Sequence, residues 1–362
     1  MNMTDINFKK NYNNEFIKGM DIEFADMIAG TELTEKDFWK WDVLQFYKRS
    51  DEILNKLKEI GFTHIFYHFW FRQETDENGN YTNHFRLQNS EFGEKDKYEG
   101  NFTELFRKTK KLGLKPCIKL MIDHANNNDI STPKNPDNYF SEYSNITKQI
   151  LSYDEDKIID IITIANETAL IRNYAKCRKY WEEYIAMLKR DYPYLTISTS
   201  HFYQDFNDGI CNIADLIDII GINYYPHVML NKACPSIEEA MAFFYQNEIY
   251  GIQQYCKEHN KKFIITECGC SCWNYQMQEP ELGNSMQNYY NTGINWKIPV
   301  NYAVAGFRTA INMDYCQGLN LMFGGNYCAV IINKSFTLYK DIEYNIYGLK
   351  KLSEILRGDI NE

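Results

Sequence analysis

The sequence has no long hydrophobic run and no long basic run. No apolar stretch approaches the roughly 20 residues that a helix needs to cross a bilayer, and residues 1–16 lack the apolar core of a secretory signal peptide. Lys and Arg total 39 against 49 Asp and Glu, a net charge of −10, so nucleic acid phosphates and anionic membranes are not expected partners. The sequence as given predicts a cytosolic protein, or a secreted one if a leader has been removed.

Zinc-type cysteine pairs and glycine-rich phosphate loops are also missing. Cys268, Cys270 and Cys272 stand at alternate positions, whereas zinc sites usually pair Cys-x2-Cys units, so we expect reduced, buried or half-buried thiols. His64 and His68 alternate on one strand with no third ligand in register, which favours packing over metal binding. Neither Gly-x-Gly-x-x-Gly nor Gly-x4-Gly-Lys follows the first predicted strand. The sequence therefore predicts no metal site.

What the chain does have is a repeated alternation of strand-like and helix-like segments. Ile53, Leu54, Leu57 and Ile60 recur at helical spacing before Gly61, and a strand-like run follows directly. The predicted strands are 18–24, 63–71, 115–123, 161–165, 195–199, 215–223, 262–266 and 319–323. Eight strand–helix units predict parallel strands, because each return to the same direction needs a crossover helix.

This pattern predicts an α/β fold, a closed (β/α)8 TIM barrel, as a single domain over residues 1–362. A barrel of this kind routinely exceeds about 250 residues as one unit, and no repeat or Pro-rich linker divides the chain. The predicted helices are 44–60, 102–112, 151–159, 174–192, 237–259, 300–312 and 344–356. The polar stretch between the second strand and Gly100 is predicted to be a long loop.

Residues that close the apolar runs are the candidates for an active site, because active groups in such barrels collect at the carboxyl ends of the strands. Glu167 ends the fourth run, TIANETAL, directly after Asn166, and Glu267 ends the seventh run, FIITECGC. Either glutamate alone could be a structural ion-pair partner; their joint placement with Asn166 favours catalysis. Candidate substrate contacts at strand ends and on mouth loops are Trp70, Arg72, Asp123, His124, His201, Tyr224, Tyr225 and Trp273.

Some of these candidates have equally good structural roles. Asp123 and His124 could cap the following helix instead of binding substrate. Single loop aromatics such as Trp273 are more often packing anchors, although flat rings also serve as platforms for sugar faces. Lys119 lies inside the third strand and, if it points into the barrel, would orient a carboxylate. Arg72 could do the same from the second strand.

Two carboxyl groups facing one another suit the cleavage of a glycosidic bond. The reaction needs a proton at the leaving oxygen and charge stabilisation at the sugar carbon. If Glu267 attacks and Glu167 donates the proton, the configuration is retained and the two carboxyls should lie roughly 5 to 5.5 Å apart. Glu167 must then be kept protonated by burial or by the negative charge of Glu267.

These residues resemble the barrel glycosidases of glycoside hydrolase clan A, which carry Asn-Glu at the end of strand four and a lone Glu at the end of strand seven. The runs KKLGLKPCIKLMIDHA, GINYYP and FIITECG look most like the family 113 β-mannanases, with families 5 and 53 as neighbours. The resemblance implies that Asn166 contacts the sugar 2-hydroxyl and that Tyr224 or Tyr225 bonds the nucleophile. At the end of strand eight, where the clan commonly has tryptophan, this sequence offers Phe323 as the floor of the sugar subsite.

The resemblance thus implies a retaining β-glycoside hydrolase with Glu267 as nucleophile and Glu167 as acid/base. Its partner would be a β-linked oligo- or polysaccharide of the mannan or galactan type, and no cofactor is required. A rival is a glycan-binding barrel with impaired catalysis, suggested by the missing tryptophan. Another is a lyase or aldolase that uses Lys119 as a Schiff-base amine.

Overall fold

A closed barrel of eight parallel strands forms the centre of the molecule. The computed structural model describes residues 15–22, 43–75, 81–87, 101–123, 136–166, 174–209, 213–244, 249–281, 292–293, 295, 297–322 and 342–358. The strands in these ranges are β1 (Ile17–Ile22), β2 (His64–Thr75), β3 (Tyr81–Leu87), β4 (Lys115–Asp123), β5 (Ile161–Asn166), β6 (Thr196–Phe202), β7 (Ile220–Asn223), β8 (Phe263–Cys268) and β9 (Cys316–Leu321). Every pair except β2–β3 is parallel, and β1 pairs with both β2 and β9, which closes the barrel. The predicted (β/α)8 fold is confirmed.

Helices connect the strands and cover the outside of the barrel. They are α1 (Val43–Ile60), α2 (Asn101–Lys111), α3 (Pro136–Ser152), α4 (Tyr174–Asp191), α5 (Tyr203–Asn207), α6 (Ile237–Phe244), α7 (Tyr250–His259), α8 (Lys297–Ala310) and α9 (Ile342–Arg357). After α1, Gly61 takes a φ of 117°, and the amides of Gly61 and Phe62 both bond the Leu57 carbonyl. Such a left-handed turn favours glycine, so the helix ends where the sequence predicted. In the part of the chain described, no helix combines the length and apolarity that a membrane span requires.

Several predicted elements differ from the structure. The polar stretch expected as one long loop contains β3, which pairs antiparallel with an extended β2. The third helix lies at Pro136–Ser152 and not at 151–159, where Asp154 instead caps a turn by accepting from the Ile158 amide. The region 237–259 forms two helices, α6 and α7, and the long predicted sixth strand shrinks to the four residues of β7.

The buried apolar residues form a large core and a small one. The large core lies between the barrel and its helices and includes Leu57, Ile118, Trp181 and Ile265; each fully buried side chain of this kind contributes about 1.5–3 kcal/mol. The small core consists of six residues at six positions around the barrel, so it lies inside the barrel. We call it the apolar plug. Its members are Ile17, Phe66, Cys117, Ile161, Ile219 and Ile264.

Candidate active site

A polar layer lies inside the barrel beyond the apolar plug. Side chains alternate along a strand, so residues two positions apart face the same way. Two positions after plug residues, on β2, β4, β5 and β8, stand His68, Lys119, Thr163 and Thr266, all of them buried. The interior therefore changes from apolar to polar towards the carboxyl ends of the strands, where active groups of barrel enzymes gather.

Glu267 lies at this end of β8 and is held by a donor on each carboxylate oxygen. The Lys119 ammonium donates to Oε1, and the Tyr225 hydroxyl donates to Oε2 at 2.8 Å. Glu267 is only 5% exposed, so both contacts lie in a largely water-excluded setting where charge interactions are strong. Lys119 points into the barrel and orients a carboxylate, as its position in the third barrel strand allowed.

A second carboxylate stands behind this pair. Asp21 on β1 lies 3.7 Å from the Lys119 ammonium, and His68 Nε2 lies 2.9 Å from Asp21 Oδ2. The Asn320 amide on β9 donates both to Asp21 Oδ1 and, at 3.0 Å, to the Thr266 carbonyl. We call Asp21, His68, Lys119, Glu267 and Asn320 the charged cluster; it joins β1, β2, β4, β8 and β9.

Gly19 makes room for the Asn320 side chain in this cluster. The two residues pair across β1 and β9, and a Cβ on Gly19 would lie 2.5 Å from Asn320 Oδ1. A larger side chain on β1 would therefore displace the amide that bridges Asp21 to β8.

Asn166 ends β5 and is oriented by a chain of buried polar groups. Its Oδ1 accepts from the Asn223 amide at 3.1 Å, and Asn223 Oδ1 accepts from the Thr266 hydroxyl at 2.9 Å. The Ser200 hydroxyl donates to Thr266 Oγ1 at 2.8 Å. This chain connects the ends of β5, β6, β7 and β8. Glu167, the next residue after Asn166, lies outside the described residues.

The register of β5 and β8 contains one extra residue near each candidate. On β8, Ile265 and Cys268 face Leu319 and Leu321 of β9, three positions against two. On β5, Thr163 and Asn166 face Ser198 and Ser200 of β6 in the same ratio. Such bulges re-aim side chains and are frequent beside active sites.

The structure separates two of the candidate substrate contacts from the barrel mouth. Tyr224 is fully buried and its hydroxyl donates to the Phe244 carbonyl on α6. His201 is 1% exposed, packs on Phe206 and has no hydrogen-bond partner at either ring nitrogen among the described residues. Burial lowers the pKa of His201 to about 3. Both were proposed as substrate contacts because they end strands; both face outward, because the neighbouring Ser200 and Asn223 take the inward positions.

The remaining candidates are only partly located. Trp70 and Arg72 on β2 pair through the backbone with Met121 and Asp123 on β4. The side chains of Trp70, Arg72 and Asp123 lie outside the described part of the structure. His124 and Phe323 lie outside the described residues. Trp273 is half-buried on the segment after β8.

Thiols and histidines do not form a metal site in the described part of the chain, where no group of three or more potential ligands is found. Cys268, Cys270 and Cys272 are buried free thiols, as expected. Burial raises the pKa of Cys272 to about 12. His64 contacts Asp160 at 3.1 Å, and burial lowers its pKa.

Sequence reasoning missed Asp21, Asn223, Thr266 and Asn320. Asp21 and Asn320 lie within apolar strands, and Asn223 and Thr266 are the last residues of the predicted sixth and seventh strands. A polar group buried in an apolar strand costs free energy unless it is hydrogen-bonded, and that placement is the signal that could have identified them.

The chain matches one protein-family model and several solved structures. The model of Glycoside Hydrolase Family 113 matches residues 44–318. A GH113 β-1,4-mannanase structure aligns with a TM-score of 0.62 at 18% identity, covering 94% of this chain and 99% of that one. The GH113 β-mannanase of Alicyclobacillus acidocaldarius aligns with a TM-score of 0.65 at 14% identity, covering 95% and 99%.

A structure of fungal β-1,4-galactanases aligns with a TM-score of 0.50 at 14% identity, covering 83% of this chain and 89% of that one. A comparison with curated proteins gives no match. At these identities the solved structures show only that the barrel fold is shared with this chain. The assignment to a family rests on the match to the model of Glycoside Hydrolase Family 113.

Proposed function

This chain belongs to Glycoside Hydrolase Family 113, and from that premise we propose that it cleaves a β-linked mannan-type glycan with retention of configuration. The family makes it a glycosidase with a carbohydrate substrate. Glu267 is the observation that carries the mechanism, because each of its oxygens has a fixed donor. A carboxylate held in this way is oriented for attack, as a nucleophile must be.

The proposed reaction is a double displacement. A Glu267 oxygen attacks the anomeric carbon and forms a glycosyl ester, while Glu167 gives its proton to the departing glycosidic oxygen. Water then attacks the same carbon, Glu167 takes up the proton of that water, and the bond to Glu267 breaks. Two inversions at one carbon give net retention. Glu167 is assigned as acid/base because it follows Asn166 directly at the end of β5.

Asn166 is assigned the contact with the sugar 2-hydroxyl. Its amide is half-buried, and its orientation is fixed by the bond from Asn223. The GH113 structures named β-1,4-mannanases support a β-1,4-mannan as the first substrate to test. The β-1,4-galactanase structure makes β-1,4-galactan the alternative.

The contacts of Lys119 argue against Schiff-base chemistry. Its ammonium lies against the carboxylates of Glu267 and Asp21. An amine must be neutral to attack a carbonyl, and two carboxylate partners favour the charged form. We therefore assign Lys119 no covalent role.

The first test is hydrolysis of defined β-1,4-mannan, β-1,4-galactan and β-1,4-glucan oligomers and of activated aryl β-glycosides. We expect Glu267→Ala to lower kcat by roughly 10⁴-fold or more, with circular dichroism confirming that the variant folds. Glu258→Ala, an exposed carboxylate on α7, is the matched control and should retain full activity. A wild-type rate for Glu267→Ala, or an inverted anomer in the first product seen by proton NMR, would contradict the proposed mechanism.

The second arm of the test identifies the acid/base. In Glu167→Ala the glycosyl ester still forms from an activated aryl glycoside, but water is no longer deprotonated. Added azide should restore turnover and yield a β-glycosyl azide. An α-azide, or no rescue by azide when the ester is seen to accumulate, would remove Glu167 from this role.

A further inference from the structure

Lys119 is the one cation that directly contacts Glu267 among the described residues. It is fully buried on β4, and its ammonium lies between the carboxylates of Glu267 and Asp21. A long, flexible lysine side chain usually places its charge in water. Here the charge is fixed inside the barrel, directly beneath the proposed nucleophile.

The surroundings hold this ammonium in place from the opposite side. Asp21 contacts His68 at 2.9 Å and accepts from the Asn320 amide, so the second carboxylate cannot turn away from Lys119. Asn320 also bonds the Thr266 carbonyl in the β8 bulge. The lysine and the nucleophile are therefore fixed relative to one another through both side chains and backbone.

We propose that Lys119 is a positioning residue for the reaction assigned above, fixing the orientation of Glu267 and speeding release of the sugar from its ester. This inference rests on the proposed double displacement. When the ester breaks, the bonding electrons return to Glu267 and a full negative charge develops beside the ammonium. A fixed cation stabilises that developing charge at no cost of reorganisation. Lys119 acts through Glu267 and does not contact the sugar.

The two chemical steps respond to this cation in opposite ways. In the first step Glu267 loses charge, so a neighbouring cation stabilises the starting state more than the transition state. In the second step Glu267 gains charge, so the cation stabilises the transition state more than the ester. Removal of the cation should therefore slow breakdown of the ester and spare its formation.

The test is Lys119→Met, which keeps the side-chain length and removes the charge. With an activated aryl β-glycoside that the wild type cleaves, we expect kcat to fall by roughly 10²-fold and kcat/KM at its pH plateau to fall much less. Stopped flow should then show a burst of the aryl alcohol as the ester accumulates.

The groups that face Glu267 in the described structure make this effect specific to Lys119. They are Lys119 and the Tyr225 hydroxyl, with Asp21 and His68 behind the lysine. Lys119→Arg retains the charge and should restore kcat towards the wild-type value and abolish the burst. The matched control Lys115→Met removes a half-exposed lysine from the same strand, paired with Asp160, and should change neither kcat nor the burst.

Each outcome bears on the inference. Equal losses in kcat and kcat/KM for Lys119→Met, with no burst in a folded variant, would overturn it and leave the double displacement intact. A wild type that cleaves none of the β-glycosides would overturn the proposed function, and the inference with it. A burst confined to Lys119→Met would support both.

Discussion

At the scale of single residues, Tyr224 and Tyr225 are adjacent in the sequence and point in opposite directions. Tyr225 donates to Glu267 inside the barrel mouth, whereas Tyr224 donates to the Phe244 carbonyl under α6. A change at Tyr225 should therefore alter catalysis, whereas the same change at Tyr224 should alter the stability of the fold.

Tyr225→Phe removes the donor on Glu267 Oε2. A hydrogen bond to a charged group is worth about 1.5–3 kcal/mol, so we expect kcat to fall by roughly 10-fold or more, with urea unfolding nearly unchanged. Tyr224→Phe leaves a buried carbonyl without its donor, and the free energy of unfolding should fall by about 1–3 kcal/mol with kcat maintained. Equal kinetic effects of the two changes would show that the orientations seen here do not govern function.

The sequence predicted the reactive residues better than their supports. Glu267 and Asn166 were identified because they end apolar runs, and Lys119 because its charge interrupts a strand. Asp21 and Asn320 were not, because their role depends on β1 and β9 meeting across the closed barrel, 299 positions apart in sequence. A local pattern carries no information about that pairing.

At the scale of elements, β5, which ends at Asn166, and β8, which carries Glu267, each contain a bulge, and a side chain bonds a carbonyl in each. In β5 the Tyr143 hydroxyl donates to the Ile164 carbonyl, and in β8 the Asn320 amide donates to the Thr266 carbonyl. A bulge disrupts the ladder locally, and buried carbonyls must still be paired. These side chains stabilise the local backbone that presents Asn166 and Glu267.

Tyr143→Phe tests this role in β5. Loss of the hydroxyl leaves the Ile164 carbonyl without that donor, so the free energy of unfolding should fall by about 1–3 kcal/mol, and kcat should fall because the end of β5 is less firmly placed. Tyr180→Phe is the control: Tyr180 stacks on Phe140 in the same aromatic group, but it is half-exposed and its hydroxyl bonds Asp137 near the surface, so its change should stay below about 1 kcal/mol and leave kcat unchanged. Urea unfolding and kcat are measured for both variants. Equal changes in Tyr143→Phe and Tyr180→Phe would exclude a supporting role of the Tyr143 hydroxyl in β5.

The ends of helices and strands were predictable where neighbouring residues in the sequence determine them. They were not predictable where pairing with another strand determines them. Gly61 and Gly113 end α1 and α2 because both take positive φ. The strand β3 was missed because YTNHFRL lies within a polar stretch rich in Asn, Asp, Glu and Gly, although Tyr81, Phe85 and Leu87 alternate with polar residues, and it pairs with β2. The bulges could not be predicted either, because a bulge is a shift in the register between two paired strands.

At the scale of the whole molecule, the barrel interior is divided along its axis. The apolar plug fills one end, and the polar layer and charged cluster fill the other. Eight alternations of strand and helix were enough to predict the barrel. They could not predict this division, because an apolar strand of a barrel is buried on both faces and its inward positions look like its outward ones.

The stability of the whole molecule should also depend on pH through His201, a buried group outside the barrel. His201 is neutral in the folded state because burial lowers its pKa to about 3, against 6.5 for an exposed histidine. As pH falls below 6.5 the unfolded chain binds a proton that the folded chain does not. Stability is therefore highest above pH 6.5 and declines towards about pH 3, with a slope of up to about 1.4 kcal/mol per pH unit.

His201→Leu removes this proton uptake and keeps an apolar contact with Phe206. Between pH 6.5 and 4.5 the wild type should lose about 2–3 kcal/mol more than the variant in urea unfolding. Carboxylates with lowered pKa values, such as Asp160 and Asp215, act below this window and are common to both proteins. Parallel curves for the wild type and His201→Leu would show that His201 takes up its proton without unfolding.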